Sequence, residues 1–234
     1  MTNTLILAGE NSNSNVGLDK THSKFDLKLG ERTIIEEAII NYSLGKTTIA
    51  ISRNSNLPGI FNDQVATKEV GRTKGALITA LIATEGMDLQ SPLTIVPGDA
   101  LISRNSYMDF LAESISSGCD LSLVVFQSNN PDFSYVRTLG DSIVEVTEKK
   151  VISSLATAGI FYFSSVDIFH ACGEWSIINN ITTQNLFFLA PSINYAIING
   201  LKIRLYNIRE SDYFRFSNYD NALISKKRYL NEEK

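Results

Sequence analysis

The sequence predicts an α/β fold: a mixed, mainly parallel central sheet flanked by helices, with a small antiparallel portion added. Three observations carry this. Short apolar runs alternate with helix-periodic stretches through the first half, at the spacing of βαβ units. Two of those runs stop abruptly at their carboxyl ends, residues 5–8 at Gly9 and residues 93–96 at Pro97, Gly98 and Asp99. The second half instead shows β-rich runs at 135–138 and 143–147 around Leu139, Gly140, Asp141 and Ser142, the pattern of a hairpin.

The elements follow in order. After the first strand comes a polar loop to Ser23, then Ile34, Ile35, Ala38 and Ile39 at helical spacing, with Glu36 and Glu37 on the other face. Strands are predicted at 47–51 and, more weakly, at 65–70. A helix over 76–85 turns Leu77, Ala80, Leu81 and Ala83 inward and stops at Gly86. The buried strand 93–96 follows, then a helix over 107–115 with Gly118 as its stop, and a strand over 121–126. Past the hairpin come a strand at 158–163, helices near 165–172 and 191–198, a strand at 201–207 and a helix at 218–227. There is no repeat, low-complexity segment or linker, so residues 1–234 read as one domain.

Composition narrows the function classes. A net charge of -4 argues against a general nucleic-acid binder, because phosphate backbones are held mainly by Lys and Arg. A single nucleotide needs only a local cluster of donors. Cys119 and Cys172 lie in apolar stretches without C-x-x-C spacing and read as buried free thiols. The start lacks a basic leader, and no run reaches the roughly 20 apolar residues of a membrane helix. The expectation is a cytoplasmic protein with no membrane partner; a homo-oligomer stays open.

Asp99 is the leading candidate from the residues themselves. A strand ending in Gly-Asp puts a carboxylate at the sheet rim, with no side chain at Gly98 to block a ligand. Such a carboxylate suits Mg²⁺, a hard cation that bridges to substrate phosphates; a turn-capping aspartate is the other reading. The loop 9–17 has backbone N–H groups and small polar side chains that suit a phosphate cradle, though without Walker or G-x-G-x-x-G spacing. Lys20, Lys24 and Lys28 follow it, and Glu148, Lys149 and Lys150 close the hairpin's second strand. Each lysine is suited to a phosphate or is simply solvated. With only His22 and His170, a histidine metal cluster is set aside.

Taken in order, these pieces resemble the nucleotidyltransferase family that joins sugar 1-phosphates to nucleotides. Residues 5–9 (LILAG) and 24–35 (KFDLKLGERTII) are similar to its opening strand, glycine-rich loop and "PKPLIPVNGKPMI" segment. Residues 73–76 (TKGA) resemble the segment at the base, and 97–99 (PGD) the strand end with the metal-binding aspartate. The run 131–136 (PDFSYV), 146–150 (VTEKK) and 156–163 (ATAGIFYF) resembles "P-x-x-S-Y-v … v-x-E-K … A-x-x-G-i-Y-x-F", and 188–194 (FLAPSIN) resembles "F-y-v-s-P-x-y-N".

The resemblance implies a Rossmann-like sheet of the nucleotide-diphospho-sugar transferase type. It implies transfer of a nucleoside monophosphate from a nucleoside triphosphate to a sugar 1-phosphate, with loss of pyrophosphate, in surface polysaccharide precursor synthesis. Asp99 would hold Mg²⁺, Lys24 would face the phosphates and Lys149 would grip the sugar phosphate. Gly75 would leave room for the base, and Glu148 with Gly159 would shape the sugar pocket. Gly9, Asn13, Gly98 and Asn194 complete the expected substrate-binding set, Asn194 lying in a helical pattern where it either faces a pocket or packs.

The chain also departs from the family pattern. The G-x-G-x-R loop has become Gly9, Glu10, Asn11, Ser12, Asn13, without its arginine. Leu186 stands where a glutamate is expected, and Arg215 or Phe216 where a second metal-binding aspartate is expected, with Asp212 or Asp220 as substitutes nearby. Two other functions therefore stay open: a degenerate homologue that binds a nucleotide or a protein partner without turnover, and a transferase with a different phosphate acceptor.

Overall fold

In the computed structural model, residues 2–9, 24–51, 63–217 and 219–232 are described. Asn13, Lys20, His22 and nearly all of the 9–17 loop lie outside them. The strands are β1 (Asn3–Ala8), β2 (Lys28–Leu29), β3 (Arg32–Thr33), β4 (Thr47–Ile51), β5 (Val65–Glu69), β6 (Leu93–Pro97), β7 (Ala100–Leu101), β8 (Leu121–Gln127), β9 (Ser134–Leu139), β10 (Ser142–Glu148), β11 (Leu155–Phe163), β12 (Ile203–Asn207) and β13 (Phe214–Arg215). The helices are α1 (Ile34–Tyr42), α2 (Ala76–Thr84), α3 (Arg104–Ser116), α4 (Val166–Ile178), α5 (Leu189–Ser192), α6 (Asn194–Ile198) and α7 (Tyr219–Glu232).

One large sheet runs β10-β9-β11-β6-β1-β4-β5, with β8 pairing β11 and β12. Its first half is parallel: β1 lies between β4 and β6, and β4 pairs β5. Its second half turns around β11, which is antiparallel to β6, β8 and β9. The hairpin β9-β10 sits at the edge, its turn opened by Gly140 at φ +59°. The sheet is mixed as expected, with the antiparallel portion built into the main sheet.

Both faces are covered, which explains the nearly continuous apolar strands. On β1, Ile6 packs with α1 and α3 residues such as Ile34, Tyr42, Tyr107 and Phe110. Its neighbour Leu5 points to the other side, with Leu77 of α2 and Phe169 and Cys172 of α4. Helix α1 starts where Thr33 and Glu36 form a capping box, Glu36 Oε2 accepting from Thr33 N–H at 2.5 Å. Both cysteines are buried and free.

The single helix expected at 191–198 is two short ones, α5 and α6. Asn194 is the reason, because its amide donates to the Pro191 carbonyl at 2.9 Å and competes with the main-chain ladder. The short pair β7-β13 was not expected, and it matters for the site. Among the described residues, no helix is long and apolar enough to cross a membrane.

Candidate functional site

The site begins where β6 and β1 end together. Gly98 N–H donates to the Leu7 carbonyl at 2.9 Å, tying the two strand ends. A Cβ at Gly98 would lie 3.0 Å from the Leu7 oxygen, 3.2 Å from Phe25 and 3.3 Å from Ile35. Glycine here lets the single turn Lys24–Asp26 settle against the strand end. As a result Lys24 Nζ donates to Asp99 Oδ2 at 2.5 Å, with the side chains 11% and 21% exposed. Burial pushes the Asp99 carboxyl up. The Lys24 ammonium, by charge and hydrogen bond, and then the Arg215 guanidinium pull it down further, to a net position below the usual carboxylate range.

Arg215 comes from the far end of the chain. In β13 it faces Ala100 of β7, and Phe216 N–H donates to the Asp99 carbonyl at 2.9 Å. Ser225 of α7 closes the other side, accepting from Arg215 N–H at 3.1 Å and donating to its carbonyl at 2.8 Å. The guanidinium lies 4.8 Å over the Phe133 ring. Its charge also reaches Glu148.

Glu148 and Lys149 stand at the end of β10. Ser134, directly opposite on β9, donates its hydroxyl to Glu148 Oε2. Burial raises the Glu148 carboxyl, and the Ser134 hydroxyl, Lys149 and Arg215 only partly offset it. Lys149 has a left-handed backbone, φ +53°, held by its N–H on the Phe133 carbonyl at 3.1 Å. Its ammonium points to Gln184 Oε1 at 3.4 Å and lies 5.2 Å from the Phe188 ring. Gly159 of β11, at φ +75°, lies beside Pro97, where an added Cβ would sit 3.7 Å from the proline ring.

The structure thus brings Lys24, Gly98, Asp99 and Gly159 to one rim and Glu148 and Lys149 to the end of β10, which β9 and β11 separate from β6, with the charge of Arg215 acting on both Asp99 and Glu148. Gly9 is exposed and, among the described residues, has nothing within 4 Å of an added Cβ. Asn13 lies outside the described residues. The space over Gly75 is filled: a Cβ would sit 2.3 Å from the Phe187 carbonyl oxygen, and Phe187 bonds through N–H to Lys74 O at 2.8 Å and through C=O to Leu77 N–H at 3.1 Å. Asn194 spends its amide on the chain, accepting from Val146 N–H at 3.0 Å and donating to Val146 O at 2.8 Å. It thereby fixes β10 two residues before Glu148.

Arg215, whose charge acts on Asp99 and Glu148, and Ser134, which donates to Glu148, belong to this arrangement without having been assigned to it from the sequence. For Arg215 the signal was present, since a charge between Phe214 and Phe216 is the alternation of a strand with one exposed face.

The donor set does not fit a magnesium ion held by the chain itself. Asp99 already carries Lys24 on one oxygen, and a guanidinium stands beside it. Asp212, a substitute for a second aspartate, is forked onto Arg209 at 3.0 and 3.1 Å. Among the described residues no three His, Cys, Asp or Glu gather in a metal-holding group.

Similar folds have been solved. The chain superposes on a nucleoside-diphosphate-sugar pyrophosphorylase from Vibrio cholerae RC9 with a TM-score of 0.79 and 18% identity, covering 95% of this chain and 99% of that one. A protein of Bacillus anthracis assigned as a glucose-1-phosphate thymidylyltransferase, in complex with a sucrose, gives 0.79 at 15% identity, covering 97% and 94%. The inositol-1-phosphate CTP transferase of T. maritima gives 0.74 at 12%, covering 99% and 96%. This chain has the nucleotidyltransferase fold. No known family profile matches its sequence, and no curated protein does either. Within the nucleotidyltransferase fold, the Asp99 rim lies at the carboxyl ends of the parallel strands, where open α/β sheets bind ligands.

Proposed function

We propose that the chain transfers a nucleoside monophosphate from a nucleoside triphosphate to a phosphorylated sugar or related phosphate acceptor. The supporting observation is the meeting of Lys24 and Asp99 with Glu148, Lys149 and Arg215 at one end of this fold. A phosphate oxygen of the acceptor attacks the α-phosphorus in line. The bond from that phosphorus to the bridging oxygen breaks, and pyrophosphate leaves with the electron pair. Little covalent chemistry falls to the protein, so its work is positioning and charge stabilisation.

Lys149, exposed beside Gln184 and Phe188, grips the acceptor phosphate as a point charge. Glu148, held by Ser134, accepts hydroxyls of the acceptor. Lys24 and Arg215 face the charge that grows on the transferred group and the leaving group. Magnesium enters this reading as the counter-ion of the triphosphate, and surface polysaccharide precursors remain the expected destination of the product. The test is pyrophosphate release over a panel of four nucleoside triphosphates and several sugar phosphates. Turnover is expected with one pair, and none across the panel would remove the reading.

One observation favours a second reading, binding without turnover. Lys24 is engaged by Asp99, and the carboxylates expected at Leu186 and Arg215 are missing. Tight nucleotide binding by calorimetry together with no pyrophosphate release would select it.

A further inference from the structure

We infer that Arg215 is a phosphate-binding residue of this site, and that phosphate binding here does not require a metal ion held by the chain. The inference rests on the reading of the site as one that takes a phosphorylated substrate.

The first ground is an unmade hydrogen bond. Nη1 of Arg215 is buried and has no hydrogen-bond partner among the described residues. A guanidinium carries five N–H groups in a rigid fork matched to oxyanions. A buried one left without an acceptor is costly, and an incoming phosphoryl oxygen would supply what is missing. No ion pair within 4 Å is made by Arg215 among the described residues, although its charge acts on Asp99 and Glu148.

The second ground is that the arginine is held in place. Its backbone is fixed on one side by its pairing with Ala100 and by the bond of the next residue, Phe216, to the Asp99 carbonyl, and on the other by Ser225. Phe133 lies under the guanidinium plane at 4.8 Å. A group fixed before its ligand arrives loses little freedom on binding.

The third ground is room and sign of charge. Arg215 lines a cavity of about 140 Å³ together with Asn130, Phe133, Tyr213, Glu210 and Arg228. That is several times the roughly 30 Å³ share of one water. Its lining carries Arg215, Arg228 and Glu210, and the Arg228 guanidinium already donates to the Glu210 and Ser211 carbonyls, which leaves Arg215 as the donor. At the rim itself Lys24, Lys149 and Arg215 stand against Asp99 and Glu148. A dication bound by the chain would meet this positive excess, whereas a phosphate relieves it.

Isothermal calorimetry with inorganic pyrophosphate tests this, in Mg²⁺ and in EDTA, on the full chain. Wild type is expected to bind in EDTA within about threefold of its affinity in Mg²⁺. Arg215→Met, which keeps an apolar stem over Phe133, is expected to lose about tenfold to a hundredfold, the worth of a charged hydrogen bond. Arg215→Lys is expected to recover part of that loss and, by thermal melting, to match wild type in folding. Affinity unchanged in both variants would overturn the inference, and so would binding that collapses in EDTA. Either result leaves the transferase reading standing. No binding by wild type in either buffer also overturns the inference, whereas the transferase reading falls only if the substrate panel gives no pyrophosphate release.

Discussion

Asp99 ends a parallel strand with a lysine on its oxygen, whereas Glu148 ends an antiparallel strand with a serine hydroxyl on its own. Both carboxylates are penalised by burial. At the Asp99 rim a cation in contact outweighs the penalty and the carboxyl is more acidic than usual. At the Glu148 end the nearest partner is neutral, the cations act from further away, and the carboxyl is less acidic than usual. Environments that push two carboxyls apart are how one site separates a permanently charged group from one that can hold a proton. The parallel half holds the more acidic of the two carboxyls, and the antiparallel half the less acidic.

The largest expected effect breaks the antiparallel side at its support. Gly75→Ala meets the Phe187 carbonyl and a backbone at φ +114°. Overpacking and strain together are expected to cost about 3–5 kcal/mol in urea unfolding. Next, Asp99→Asn leaves the Lys24 charge unpaired in a mostly buried place. A loss of about 2–3 kcal/mol is expected, below the range for fully buried pairs because both side chains keep some exposure. Pyrophosphate release should fall by about a hundredfold or more.

Asn194→Ala strips both backbone groups of Val146 of their partner. An expected cost of about 2 kcal/mol should accompany a higher KM for the phosphate acceptor, because Lys149 loses its register. An unchanged KM would separate Asn194 from the site.

The smallest effects are in pH dependence, and they should have opposite signs. Asp99 has a folded-state pKa below its unfolded value of about 3.9. Its contribution is therefore complete above that value and is lost as pH falls through the folded pKa. Glu148 has a folded-state pKa above its unfolded value of about 4.3. Its contribution is complete below that value and is lost as pH rises through the folded pKa. Unfolding measured across pH should thus show Asp99→Asn flattening the acid limb, and Glu148→Gln gaining relative stability at higher pH. The same sign for both variants would remove the contrast.

The two halves were also unequally legible. Asp99 could be placed from the β-rich run 93–96, which stops at Pro97, Gly98 and Asp99, because strand ends in parallel sheets follow from local pattern. The hairpin turn at Gly140 was legible for the same reason. Lys24 was visible as a residue type but not as the partner of Asp99. Their meeting depends on Phe25 and Ile35 filling the space that Gly98 leaves. The alternation Phe214-Arg215-Phe216 marks a strand but does not place Arg215, since its partner, Ala100, lies in the other half of the chain. Asn194 misled in a different way: a helix-favouring run concealed an amide committed to a distant strand. Gly75 read as open space, yet its missing side chain is used by the backbone of Phe187.

The Phe216 bond to the Asp99 carbonyl also bears on synthesis. A ribosome delivers the parallel strands, Lys24 and Asp99 early, and that half can begin to pair while the rest is still being made. Arg215 follows 116 residues after Asp99 in the sequence. Lys24 and Asp99 are therefore synthesised before the guanidinium that acts on Asp99, so the order of translation sets the order in which the rim gains its charges.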